Sequence, residues 1–331
     1  MSNRFLDLIQ RGGPIVADGG MGTMLMAAGL LFGDPPELWN VLPDKQPHVR
    51  AVHRGYLDAG AQIILTNSFG GSPFRLKLHN LHGRVFELNQ AAAELARAEA
   101  GDAAVVAGSI GPSGELFEPM GALTYDAAVA GFAAQAAGLA AGGADVLWVE
   151  TMSDLQEVRA AVAGARQAAP QLPIAATMTF DTRGFTMMGV SPAQAVAELG
   201  ELGLAAFGGN CGNGTAEIEG VIFGMSQAGA SAPLIAKSNA GLPEMIDGQA
   251  VYNGTPAIMA EYARRVRALG ATIIGACCGS SPAHVRAIAQ ALHTLPPLEL
   301  AGIELASAPA QRQSPEATRR ARDDRRARRS A

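Results

Sequence analysis

One pattern limits the folds open to this 331-residue chain: a short apolar run, a glycine-rich turn and an alanine-rich helical stretch recur eight times. The runs lie at 14–20, 62–69, 103–111, 145–151, 173–180, 205–211, 233–241 and 271–279. Near-continuous apolar runs of this length, separated by helices, are what parallel strands buried on both faces require. Several helices close on the same signal, a glycine set between the helix end and the next strand in LDAGAQIIL, AAGGADVLWVE, LGLAAFGG and ALGATIIGA. Glycine takes the left-handed backbone that caps a helix there. Helix starts are marked at Ser153-Asp154, Ser191-Pro192, Thr255-Pro256 and Ser281-Pro282, where a capping side chain precedes proline or an acid in the first turn. Eight such units predict a single α/β domain, a (β/α)8 TIM barrel over 14–295, preceded by an amphipathic helix in 1–13 and followed by an extension over 296–331. A doubly wound open sheet shares this periodicity and stays open at this point.

Composition narrows the function classes. With 48% hydrophobic and 17% charged residues, the chain as a whole is not disordered. The N-terminal MSNRFLDLIQRGG has no long apolar core and no small-residue cleavage site, so no secretory signal is expected. No apolar run reaches the roughly 20 residues that span a bilayer, so no membrane partner is expected. Three cysteines, an odd number, argue against a disulfide framework and for a reducing cytoplasm. The net charge of -5 conceals an asymmetry: residues 312–331 hold eight arginines against three acids, which leaves -10 for the rest. That tail lacks the apolar content to fold alone, and a solvated, disordered tail is expected rather than a nucleic-acid contact. Sequence leaves the oligomeric state open, a homo-oligomer included.

A barrel of this kind does its chemistry at the C-terminal ends of its strands. The polar residues of the eight runs gather at those ends: Asp18, then Thr66 and Asn67, Ser109, Glu150 and Thr151, Asn210 and Cys211, Asn239, and Cys277 and Cys278. All three cysteines of the chain belong to this set, Cys211 in FGGNCGNG and the adjacent pair in IIGACCGSS.

The sixth and eighth strands of a barrel are about two spacings of 4.8 Å apart. Sulfurs sharing one zinc ion lie within about 4 Å of each other, so side chains leaning inward close that gap. Adjacent residues of a strand point to opposite faces, so Cys277 and Cys278 share an ion only where the strand has ended, with Gly275 and Gly279 giving the backbone freedom to turn. Ordinary buried cysteines, a strained vicinal disulfide and a single nucleophilic cysteine are the competing readings. The CC pair between glycines, with a third cysteine two strands away, favours a shared metal. No histidine stands at a strand end to act as a nucleophile's base, and His284 falls at a helix start. Three sulfurs select zinc. Three thiolates on a divalent cation leave the site at -1, poor for generating hydroxide but suited to holding a fourth sulfur as thiolate. Alkyl transfer therefore fits better than hydrolysis, which would call for histidine and carboxylate ligands.

The motifs ADGGMGT (17–23), LTNSFGGS (65–72), GSIGPSGE (108–115), VETMSDLQE (149–157), GGNCGNG (208–214), KSNAGLP (237–243) and GACCGSSPAHVRAI (275–288) resemble those of the homocysteine S-methyltransferases. The resemblance covers roughly 10–295 and is most specific at the NCG and GACCG strings. It points to free-standing bacterial betaine-homocysteine methyltransferases and to the homocysteine-binding barrel of cobalamin-dependent methionine synthase, without the latter's folate, cobalamin and activation modules. It implies a zinc-bearing barrel in which Cys211, Cys277 and Cys278 are the catalytic metal ligands and homocysteine sulfur takes the fourth position. Glu150 and Asp18 would then face the substrate amine. The glycine turn that includes Gly22 and Thr23 would offer backbone N–H groups to the carboxylate, with Asn67, Ser109, Thr151 and Asn210 lining the mouth. Asn239 would hold a loop hydrogen bond or ligate zinc when substrate is absent.

The methyl donor is less legible. Glycine betaine is favoured, and an onium donor is held by aromatic faces at about 0.5–2 kcal/mol per ring. Aromatics make up 5% of the chain, and Trp39 in PPELWN is the expected donor contact. The chain departs from the animal betaine enzymes where those carry tyrosines: Gly70 or Gly71 follows Phe69, and Thr151 follows Glu150. S-methylmethionine, another methylated onium compound or a separate methyl-corrinoid protein are the alternative donors. A non-catalytic zinc- and thiol-binding module is the alternative of a different class.

Overall fold

The computed structural model describes residues 3–299 except 182, 242, 247, 248 and 297. The arginine-rich tail lies outside the described residues. Eight strands form the barrel: β1 (Ile15–Val16), β2 (Ile63–Leu65), β3 (Val105–Ile110), β4 (Val146–Met152), β5 (Ile174–Met178), β6 (Ala206–Cys211), β7 (Leu234–Ser238) and, after a hairpin formed by β8 (Pro243–Ile246) and β9 (Gln249–Tyr252), β10 (Ala271–Ala276). Their order is β1-β10-β7-β6-β5-β4-β3-β2, every pair parallel. A parallel bridge from Ala17 to Ile63 joins the two ends, so the sheet closes and the doubly wound alternative is excluded. All eight expected strands are present within their sequence-based bounds, save that β4 runs on to Met152.

Closure separates two apolar layers. Inward-pointing residues recur with period two, for example Val146 and Trp148 on β4, or Ile15 and Ala17 on β1 and beyond it, and form one buried cluster. Among the described residues, Trp148 is the bulkiest fully buried side chain. The small Ala107, Ala175 and Ala206 share its cluster and leave the space its indole fills. The outward faces pack against the helices in a second, larger cluster.

The helix Arg4–Gln10 is not an independent appendage. Its Phe5 and Leu8 enter the inner cluster, and the Phe5 ring meets Trp148 edge-on at 6.4 Å. It therefore closes the N-terminal end of the barrel, leaving the opposite end for chemistry. Among the described residues, no helix is long and apolar enough to cross a membrane.

The helix signals act as expected. Gly60 and Gly270 take φ of 100° and 108° before β2 and β10, values that side chains with a Cβ rarely adopt. Ser191 forms a full capping box with Gln194, and Thr255 accepts from the Ile258 N–H. At Ser153-Asp154 the cap is Asp154, which accepts from the Gln156 N–H.

Candidate metal centre and acceptor site

The three sulfurs meet at the C-terminal mouth of the barrel. One sulfur from each cysteine lies within 4.8 Å of the other two, and Cys277 Sγ is 3.7 Å from Cys211 Sγ. All three are free thiols of intermediate exposure, so they are reachable and have not formed a vicinal disulfide.

Local backbone brings them together. Cys211 ends β6 with φ 64° and Gly212 follows with φ 66°. A non-glycine residue in the left-handed region is strained by about 1–3 kcal/mol, which persists only where the surroundings hold it. Asn239 is what holds it: its Oδ1 faces Cys211 Sγ at 3.3 Å and accepts from the Cys278 N–H at 3.0 Å, while its Nδ2 donates to the Gly212 carbonyl at 2.8 Å. One amide thus joins both cysteine-bearing segments. On the other strand, β10 ends at Ala276, and Gly279 turns the chain with φ 75°. Gly275 has a different role from the one expected. Its φ is not positive; a Cβ there would lie 2.9 Å from both Ala17 Cβ and the Ala17 carbonyl, so glycine is needed for close packing against the β1 segment.

Asn210 supports the cluster from β6. Its Oδ1 accepts from the Thr151 N–H at 2.9 Å and its Nδ2 donates to Thr151 Oγ1 at 2.7 Å, with Cys277 Sγ 3.9 Å away. Thr151 is itself left-handed, φ 61°. Groups that orient metal ligands typically carry 10–100-fold in metal affinity. For a metal held by these three sulfurs, Asn210→Ala is expected to lower the affinity by about that factor, read by competition with a chromophoric chelator; unchanged affinity would remove Asn210 from the support of the site.

The thiols ionise unequally. Cys278 is drawn down to about 4 because Cys211 and Cys277 both hydrogen-bond to it. Cys211 is pushed far up by its contacts with Cys277 and Cys278 and by burial. Ionising all three sulfurs at this separation would require a cation between them. A soft, all-sulfur set of three is the donor chemistry that zinc takes, with a fourth position for another ligand.

The glycine turn after β1 is clamped to the thiol loop. The Gly20 N–H donates to Ser280 Oγ at 3.0 Å, Ser280 Oγ donates to the Cys277 carbonyl at 2.6 Å, and Tyr56 Oη lies 3.0 Å from the Gly20 carbonyl. The Gly20 N–H is therefore already taken, while Gly22 and Thr23 sit in the first turn of the helix Met21–Ala27, whose N-cap Gly20 supplies no capping side chain.

The two expected acids differ. Asp18 accepts from the Leu65 N–H at 2.7 Å through Oδ2 and from Lys237 Nζ at 2.7 Å through Oδ1, so both oxygens are engaged inside the protein. Glu150 accepts only from Ser109 Oγ, at 2.5 Å through Oε1. Its other oxygen has no partner among the described residues. Burial pushes the Glu150 carboxyl up to about 7, against the pull of the nearby Lys237 ammonium.

Two other expected residues are engaged elsewhere. Asn67 donates to the Pro36 carbonyl and to Asn40 Oδ1, at 2.8 and 2.9 Å, fastening the 36–40 turn to the end of β2. Trp39 is 7% exposed, tilted against His48 at 5.6 Å, with Lys45 Nζ 5.3 Å from its ring centre. That cation lies over the ring of the expected donor contact. His284 caps its helix with Ser281 and reaches the Gly254 carbonyl at 2.8 Å, away from the sulfurs.

Two residues join the site without having been expected there. Lys237 is a lysine inside an apolar run, itself the signal that could have found it. Tyr252 ends β9, and a methyl group at position 279 would overlap its ring. Burial and then the charges of Cys278, Cys211 and Cys277 push its phenol up to about 12, which sets an aromatic beside the thiols.

A family model described as homocysteine S-methyltransferase matches residues 15–292. The methionine synthases of Mycobacterium tuberculosis and Mycobacterium leprae are 33% and 32% identical over 293 residues, 84% of this chain but 24% of theirs. The chain thus spans about a quarter of the length of these relatives. Among solved structures, the metallated form of the Escherichia coli homocysteine methyltransferase MmuM superposes with a TM-score of 0.71 at 26% identity, over 87% of this chain and 99% of that one. A Methanosarcina mazei methyltransferase, at 10% identity and a TM-score of 0.54 over 87% of this chain and 96% of that one, shares the fold.

Proposed function

The chain belongs to the homocysteine S-methyltransferase family, and from that premise we propose that it is a zinc-dependent enzyme that methylates the thiol of homocysteine to give methionine, with glycine betaine as donor. The observation that carries this reading is the trio of free sulfurs converging within 4.8 Å at the barrel mouth. Cys211, Cys277 and Cys278 would hold the ion. Bound there, zinc would supply the positive charge that keeps an acceptor thiol deprotonated near neutral pH.

The chain's own residues do the rest. Glu150, with one oxygen unpartnered, receives the acceptor's ammonium. The first turn at Gly22 and Thr23 presents backbone N–H groups toward its carboxylate. Asn210, Thr151 and Asn239 fix the thiols through the hydrogen bonds described above. In the transfer, a lone pair of the acceptor sulfur forms the new S–CH3 bond as the donor's N–CH3 bond breaks, and the bonding pair leaves with the amine nitrogen as dimethylglycine. No proton moves in that step. Tyr252, whose ring lies against Gly279 next to the thiol pair, is an aromatic that suits a quaternary ammonium. Three thiols that must stay reduced to hold a metal suit the cytoplasm.

One observation favours a second donor. Phe32, Met120 and Met187 are 95%, 67% and 71% exposed on the loops that follow β1, β3 and β5, at the end of the barrel that holds the thiols. Exposed apolar side chains there suit a methyl group brought by a separate corrinoid protein. The test is a donor panel on the zinc-loaded chain with homocysteine: betaine, S-methylmethionine and methylcobalamin, each scored by methionine formed. Betaine is expected to give turnover. Zinc and homocysteine binding without methionine from any donor would replace the enzyme by a thiol-binding module.

A further inference from the structure

His284 does more than start its helix. The usual partner of a serine N-cap, three positions on, is a glutamate or glutamine that reaches back to the N-cap N–H. Here the Ser281 N–H donates to His284 Nδ1 at 3.1 Å, which satisfies that end of the helix Pro282–Thr294. An imidazole has a second nitrogen on its far side, and Nε2 lies 2.8 Å from the Gly254 carbonyl, 30 residues back in the chain. The two partners assign the tautomer. Because Nδ1 accepts from a backbone N–H, the proton sits on Nε2 and is donated to Gly254.

Gly254 is held from its other side as well. Its N–H donates to the Ala240 carbonyl at 2.7 Å, and the Ala240 N–H donates to the Cys278 carbonyl at 2.9 Å. A methyl group at position 254 would overlap the Ala240 backbone, so this close approach needs glycine. Two residues earlier stands Tyr252, whose ring takes the space that a Cβ at Gly279 would occupy. Gly279 directly follows the thiol pair. The 252–254 segment is thus tied to the thiol loop through Ala240, and to the helix that follows that loop through His284. Helix capping does not require the second tie. A glycine peptide turns easily, so its carbonyl keeps one direction only while it is bonded. What the His284 bond fixes is therefore the path of the chain that presents the Tyr252 ring.

We propose that His284 is a positioning residue for the methyl donor: by holding the Gly254 carbonyl it fixes the Tyr252 ring against Gly279, next to the thiol pair, where the ring receives a methylated onium group. The donor's part in this rests on the betaine reading above; the placement of the ring does not. One histidine thereby joins the start of the helix after the thiols to the aromatic that faces the incoming methyl group.

The experiment uses the full-length, zinc-loaded chain and two neutral substitutions. In His284→Asn the amide oxygen stands where Nδ1 stood and keeps the Ser281 N–H, but the side chain ends short of Gly254. In His284→Gln the capping box is complete and the longer amide carries an N–H onward to Gly254. The first readout is fluorine magnetic resonance of chain labelled with 3-fluorotyrosine; there are four tyrosines, and Tyr252→Phe assigns the signal of interest. His284→Asn is expected to move the Tyr252 signal toward that of an exposed tyrosine and leave the others in place, and His284→Gln to bring it back. The second readout is kinetic. His284→Asn is expected to raise the betaine KM by about 3- to 30-fold, the worth of one ring to a cation, with the homocysteine KM within about twofold and recovery in His284→Gln. In a Tyr252→Ala background, His284→Asn is expected to add nothing further. A Tyr252 signal unmoved by His284→Asn, equal rises in both KM values, or additive effects in the double variant each overturn the proposal. If the wild-type chain gives no turnover with betaine, the betaine reading fails, and the fluorine signal alone then supports or overturns the placement of the ring. Should His284→Asn not fold, His284→Glu replaces it, since glutamate completes the capping box but turns an acceptor toward the Gly254 carbonyl.

Discussion

Cys211→Ala is expected to leave the chain without stoichiometric zinc and to cut methionine formation by at least about 100-fold, the several kcal/mol that a bound cation contributes to a charged transition state. The geometry makes the loss specific. Cys211 Sγ is 3.7 Å from Cys277 Sγ and faces Asn239 Oδ1, so its removal leaves two sulfurs on adjacent residues of one loop and none from β6. Two adjacent sulfurs do not complete the three-sulfur set on which the zinc assignment depends. The fold is expected to persist, because the residue is partly exposed and the barrel core lies below it. Metal content by plasma mass spectrometry, far-ultraviolet dichroism and methionine by mass spectrometry separate these effects. Full activity in this variant would remove the cysteines from catalysis.

What is legible in the sequence follows from which interactions are local. Strand runs and helix-ending glycines are written within a few residues of each other, so eight β/α units can be counted from the residues alone. The convergence of Cys211 with Cys277 and Cys278 is legible too, since a barrel fixes how far apart its sixth and eighth strand ends lie. The hairpin of β8 and β9 falls outside the eight-unit pattern, although an Asp-Gly dipeptide at 247–248 between two short apolar runs is a hairpin signal. Asp18 stands out as a strand-end acid, but its partner is Lys237, 219 residues away in the chain. No local pattern encodes a pairing at that separation. Trp39 has a neighbour that composition does not show: Lys45, six residues on, lies over its ring. Tyr252 carries no local signal, because its value lies in its neighbours across the loop, Gly279 and the thiols.

Glu150→Gln is expected to act on the acceptor and not on the donor. Truncating one side of a buried, hydrogen-bonded charge pair costs about 2–5 kcal/mol, so the homocysteine KM should rise by about 30-fold or more with a smaller change in kcat. Glutamine keeps the hydrogen bond from Ser109 Oγ through its own carbonyl oxygen, so the side chain stays in place and only charge is lost. The sign of the pH dependence then follows. Glu150 is held up at about 7 by burial, so in the wild-type chain it is charged above that pH and neutral below it. Ammonium binding is present on the alkaline side and fades as pH falls through about 7. The ratio of homocysteine KM, variant over wild type, should therefore be large near pH 8 and shrink toward unity as pH drops to about 6, where the wild-type chain has lost the same charge. Thiol ionisation and metal affinity change with pH in both proteins and cancel in that ratio. For 4-mercaptobutanoate the ratio should stay near unity throughout, because that thiol has no ammonium to lose. A homocysteine ratio independent of pH would mean that Glu150 holds the mouth together by packing, and would return the amine to Asp18, whose oxygens would then have to leave Lys237.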